Sequence, residues 1–102
     1  MKFGLKDETI IQLQNIFSHC HTIEKVIIYG SRAKGSYKPG SDVDLTLVGN
    51  DLNLSNSVYP VMDAIEELLL PYMFDISIYS AIDNPDLVDH IKRVGQLFYE
   101  KA

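Results

Sequence analysis

From Asp42 onward the chain alternates polar and apolar side chains as far as Leu47, and the run reads as a strand to Val48. A period of two is the signature of a strand with one buried face. Val43, Leu45 and Leu47 then point into a core, and Asp42, Asp44 and Thr46 share the opposite face. The two carboxylates stand side by side, about 6–7 Å apart by the rise along a strand. Aspartate disfavours the pleat and like charges repel, so a positive ligand is expected to offset them.

Met73 to Tyr79 repeats the pattern. Phe74, Ile76 and Ile78 form an apolar face, and Asp75, Ser77 and Tyr79 form the other. If the two strands are neighbours, Asp75 joins Asp42 and Asp44. Three carboxylates on rigid strands form an oxygen-only set that suits Mg²⁺ or Mn²⁺. Magnesium keeps waters and takes further ligands from phosphates, so the set implies a phosphorylated substrate.

The remaining chain alternates helices with strands. Residues 7 to 20 place Ile10, Leu13, Ile16, Phe17 and Cys20 on one helical face, with Asp7 and Glu8 at its positive end. Lys25 to Tyr29 is a short β-branched strand. Gly30 to Gly40 is a loop with one helical turn expected over Ser31 to Lys34. A helix over residues 57 to 70 carries Val58, Met62, Ile65 and Leu69 on one face, and Pro71 stops it. Asn84-Pro85 reads as an N-cap and first helical position. Leu87, Ile91 and Val94 make that helix's stripe, Gly95 ends it, and Gln96 to Tyr99 forms a last short strand. His90 and Arg93 are expected on the outer side of this helix. The order predicts an α/β (α+β) fold, one compact domain over residues 1–102, with strand pairing left open.

Gly30 permits a sharp turn and close backbone approach to a ligand. Ser31 offers a hydroxyl and a backbone N–H to an anion, and Arg32, Lys34 and Lys38 add positive charge nearby. Each feature alone is ordinary: a turn, a loop cap, a solvated strand residue. Their combination on successive elements points to phosphate chemistry.

The net charge of −5 argues against a general grip on a nucleic-acid backbone. A single cysteine, no apolar run near the roughly 18 residues that span a bilayer and no signal-peptide pattern fit a cytoplasmic protein. His19, Cys20 and His21 lack the further ligands a zinc site needs. Tyr79, on the acidic face, is the best-placed tyrosine for a nucleotide contact.

Gly30-Ser31, ten residues, then Asp42-Val43-Asp44 resembles the signature of the DNA polymerase β-type nucleotidyltransferase superfamily. Tyr29-Gly30-Ser31-Arg32-Ala33-Lys34-Gly35 with Ser41-Asp42-Val43-Asp44-Leu45 resembles its minimal subfamily, the MNT proteins. The resemblance runs from the first strand to Ile91-Lys92-Arg93-Val94-Gly95. It implies a mixed sheet of the polymerase β palm type flanked by helices. It also implies transfer of a nucleotidyl group, AMP from ATP, with two Mg²⁺ ions on Asp42, Asp44 and Asp75. Gly30 and Ser31 would hold the β- and γ-phosphates, and Asp75 would help deprotonate the nucleophile. Arg32 matches a common family residue, whose part is either phosphate contact or support of the aspartates.

No acceptor-binding domain is visible, so the acceptor site is expected on another chain, or the acceptor is itself a protein. The MNT resemblance implies a helical HEPN-type partner silenced by AMP on a tyrosine, as in toxin–antitoxin pairs. Two other readings stay open: the catalytic subunit of a two-chain enzyme that modifies a small molecule, and a non-catalytic nucleotide-binding antitoxin that masks its partner. A homo-oligomer stays open as well.

Overall fold

The computed structural model describes residues 1–102. Four strands form one sheet: β1 (Ile23–Tyr29), β2 (Val43–Gly49), β3 (Phe74–Ile78) and β4 (Gln96–Glu100). Four helices accompany them: α1 (Asp7–Ser18), α2 (Gly30–Lys34), α3 (Tyr59–Glu67) and α4 (Pro85–Val94). The strand order is β3-β2-β1-β4. β1 pairs antiparallel with both β2 and β4, and β2 pairs parallel with β3. The sheet is therefore mixed. The parallel pair needs a crossover, which α3 supplies.

The alternation of β2 decides which face is dry. Val43, Leu45 and Leu47 are fully buried with Val26 and Ile28 of β1. Leu13 and Phe17 of α1 and Val61 and Ile65 of α3 complete this core. A bulge between Val26 and Ile27 lets Phe98 of β4 join it, edge-on to Phe17 at 6.2 Å between ring centres. α2 and α4 pack on the other face.

Several boundaries move from the sequence reading. β1 starts at Ile23, because Ile23 pairs with Gly49 before a register shift. α1 ends at Ser18, so Cys20 lies past the helix, its N–H bonded to the Phe17 carbonyl at 3.0 Å. A π-helical turn (Leu54–Val58) precedes α3, started by reciprocal Asn53–Asn56 bonds of 2.8 and 2.9 Å. Leu69 does not face the core. It takes a left-handed φ of 53°, which ends the helix ahead of Pro71 and leaves the side chain 88% exposed. Asn84 caps α4 through the Asp86 N–H at 2.9 Å, and Pro85 opens it. At the N-terminus, Phe3 and Gly4 take positive φ and fold Leu5 back onto the Lys2 carbonyl at 2.8 Å.

Candidate active site

The parallel register of β2 and β3 places Asp75 directly opposite Asp44, and Asp44 opposite Tyr29 of β1. Asp42 immediately precedes β2 rather than lying inside it. The next rung holds Ile27, Thr46 and Ser77. Thr46 is fully buried, and the Ser77 hydroxyl donates to its Oγ1 at 2.9 Å. The polar face is thus supported from below by a closed pair of hydroxyls.

Charge accumulates at the edge of this face. Burial pushes the Asp44 carboxyl above its ordinary value. The charges of Asp75 and Asp42 add to the rise, and His90 opposes it. Burial also raises the Tyr29 hydroxyl; a hydrogen bond with Ser77 lowers it, and Asp75 and Asp44 raise it further. No basic side chain pairs with these carboxylates: the ion pairs of the molecule are the N-terminus with Asp7 and Arg93 with Asp89.

The phosphate-loop candidate abuts the same carboxylate. Gly30 has φ 74°, and a Cβ there would collide with the Asp44 carboxylate. Glycine is thus required twice, for its dihedral and for its lack of a side chain. Ser31 follows, half-buried, on the first turn of α2. Gly35, with φ 85°, ends α2. Lys34 and Lys38 are exposed.

Arg32 sits behind this surface, only 2% exposed. Its Nε and Nη2 donate to the Ser41 carbonyl at 3.1 and 2.8 Å, and Nη1 donates to the Phe3 carbonyl at 2.8 Å. The guanidinium lies over the Tyr72 ring at 4.7 Å and the Tyr37 ring at 5.4 Å. Ser41 is the residue before Asp42, so Arg32 holds the backbone that delivers Asp42 to the site. Gly4 makes room: a Cβ there would meet Tyr37 and Arg32.

The donor set fits a hard divalent cation. All three candidates are carboxylates without basic ion-pair partners, and burial together with the charges of Asp75 and Asp42 raises Asp44. No three acidic, histidine or cysteine side chains converge on one point, so water and substrate oxygens must complete any coordination.

Two residues depart from the sequence reading. His90 is not on the outer side of α4: its Nε2 accepts the Gly30 N–H at 3.2 Å, and its ring packs edge-on to Tyr29 at 6.2 Å. The signal was available, because His90 falls on the same stripe as Leu87, Ile91 and Val94. Arg93 does lie outside, paired with Asp89 at 2.8 Å. Tyr79 begins a short 3-10 turn at the far end of β3 from Asp75, in a cleft with Lys25, Ile27 and Ile91.

The comparisons with known proteins bear on the family and the fold. The family described as "Polymerase beta, Nucleotidyltransferase" matches residues 11–102. A solved toxin–antitoxin with AMP-PNP aligns with a TM-score of 0.69 at 16% identity, covering 95% of this chain and 75% of that one. A mutant of the toxin–antitoxin MntA-HpeT, carrying two aspartate-to-glutamate changes, aligns at 0.66 and 13% identity, with the same coverage. Both likenesses are of fold at these identities. No curated protein is detectably similar in sequence. With the signature on its expected elements and nearly the whole chain matched, this chain belongs to the polymerase β nucleotidyltransferase family.

Proposed function

We propose that this chain transfers AMP from ATP onto a partner protein, a helical HEPN-type chain, and acts as the antitoxin of that pair. The observation that carries the reaction is the rung Asp75–Asp44 lying against the Gly30 turn, with Asp42 beside it. Carboxylates that need cations and a backbone that admits close approach of a phosphate stand in contact. The partner is supported by the neighbours: both are toxin–antitoxin complexes, and one binds AMP-PNP. The aspartates changed in the other are two positions apart, as Asp42 and Asp44 are.

In this reading Ser31 holds the β- and γ-phosphates through its hydroxyl and N–H. Asp42 and Asp44 hold two Mg²⁺ ions, or Mn²⁺, with Asp75 completing the set. Ions held there would supply charge neutralisation at the triphosphate and activation of the attacking hydroxyl. A tyrosine oxygen of the partner attacks the α-phosphorus, the bond to pyrophosphate breaks, and Asp75 takes the proton. Arg32 supports Asp42 through the Ser41 carbonyl. Alignment of the acceptor supplies a large share of the rate in such a reaction, so turnover without the partner is expected to be slow.

The test is to mix the chain with labelled ATP, Mg²⁺ and the product of the neighbouring gene. Mass spectrometry should find one or more AMP groups on that partner, and none when Asp42→Asn replaces the wild type. A partner that binds tightly yet stays unmodified with every nucleotide supports a masking antitoxin instead. Label on a small molecule supports a two-chain transferase.

A further inference from the structure

We infer that His90 is a positioning residue that sets the orientation of the phosphate loop. The inference rests on the reading of Gly30-Ser31 as that loop.

The Gly30 N–H opens α2 and has no acceptor within the helix. It also sits where β1 gives way to a left-handed glycine, φ 74°. His90 supplies the acceptor, at 3.2 Å. A backbone N–H can only donate, so Nε2 carries the lone pair and the ring proton is on Nδ1. Tyr29 fixes the ring plane from the side, at 79° between planes.

The approach of α4 to the sheet is what brings His90 within reach. Ile91, the next residue, is 3% exposed. Gly95 has no room for a side chain: a Cβ there would meet the Ile91 carbonyl and would lie 2.8 Å from Ile27 Cγ2. α4 therefore seats tightly on β1, and its outward face is occupied separately by the Asp89–Arg93 pair. One bond then joins the last helix to the loop across 60 residues of sequence. It fixes the rotation of the Tyr29–Gly30 peptide and so the direction in which Ser31 is presented. It also removes the Gly30 N–H from the donors open to a phosphate, which leaves Ser31 as the first.

Two variants test this by calorimetry with a non-hydrolysable ATP analogue and Mg²⁺. His90→Leu removes the acceptor and should weaken binding about tenfold, the scale of one lost hydrogen bond to a partly buried donor. His90→Gln keeps an acceptor on a side chain of similar reach and should stay within about threefold of wild type. The Gly30 amide resonance should move and exchange faster in His90→Leu and stay near its native position in His90→Gln. Equal affinity in all three proteins with an undisturbed Gly30 amide overturns the inference. So does tighter binding by His90→Leu, which makes His90 a competitor of the phosphate, and so does a Gln variant as weak as Leu. If His90→Leu melts early, the Gln variant alone carries the decision. If the unaltered protein binds no triphosphate, the reading of the loop fails, and the Gly30 amide still reports whether His90 holds that peptide.

Discussion

On one face of the sheet Val26, Ile28, Leu45 and Leu47 are sealed under α1 and α3. On the other, Tyr29, Asp44 and Asp75 share a rung beside α2 and α4. The same strands build both faces, since successive side chains point opposite ways. The dry face follows the general rule that apolar surface leaves water. The polar face meets the opposite demand: polar atoms near the interior need partners. Thr46 and Ser77 partner each other, and no buried side-chain polar atom lacks a hydrogen bond. Asp42 and Asp75 are exposed to solvent, and half-buried Asp44 carries the cost: burial, then the charges of Asp75 and Asp42, push its carboxyl up, with His90 opposing. A half-buried carboxyl raised by like charges makes this rung the candidate ligand site.

The contrast can be broken by moving either face toward the other. Leu45→Ala on the dry face should destabilise the fold by about 2–5 kcal/mol, since it opens a cavity among fully buried neighbours. Urea unfolding measures this; a loss under about 1 kcal/mol would show a core able to collapse. On the polar face Gly30→Val should act mainly on ligand binding. Holding a β-branched residue at φ 74° costs on the order of 1–3 kcal/mol, and its Cβ displaces the Asp44 carboxylate. Triphosphate affinity should fall by at least about tenfold; unchanged affinity would place the phosphates elsewhere.

The smallest effect has the opposite sign. Asp44 is raised in the folded protein. A carboxyl of that kind stabilises the fold while protonated, below its unfolded value, and the benefit is lost as pH rises through the raised folded value. At neutral pH the ionised group opposes folding. Asp44→Asn should therefore raise the melting temperature of the metal-free protein by a few degrees. The gain should fade as pH falls into the carboxylate range, and added Mg²⁺ should favour the native protein over the variant. An equal or lower melting temperature at neutral pH would mean that repulsion among the three aspartates is already relieved by solvent.

Much of the candidate site was legible before the fold. Asp44 and Asp75 stand out because each interrupts an apolar strand at the polar phase. Gly30 stands out as the only residue type suited to a sharp exit from β1. What was not legible depended on distance in space. His90 lies on the inward stripe of α4 by its spacing, but only the seating of α4 on β1 shows that its imidazole meets the Gly30 N–H. Arg32 leaves two parts open until the Phe3 and Ser41 carbonyls are seen around its guanidinium. Leu69 fits the helical stripe by count, but the count does not foresee a left-handed turn ahead of Pro71.

By itself the sequence determined the elements, the dry face and the three candidate acids, because periodicity and residue chemistry are local properties of the chain. The tertiary structure alone decided the rest. It set β3 parallel to β2 so that Asp75 meets Asp44, turned Arg32 inward to hold Ser41, and brought His90 to Gly30. The first and last of these join residues 31 and 60 apart in the chain, and Arg32 also reaches back 29 residues to Phe3. Such contacts are fixed by how distant elements pack together, which depends on the summed fit of many side chains and on no single motif.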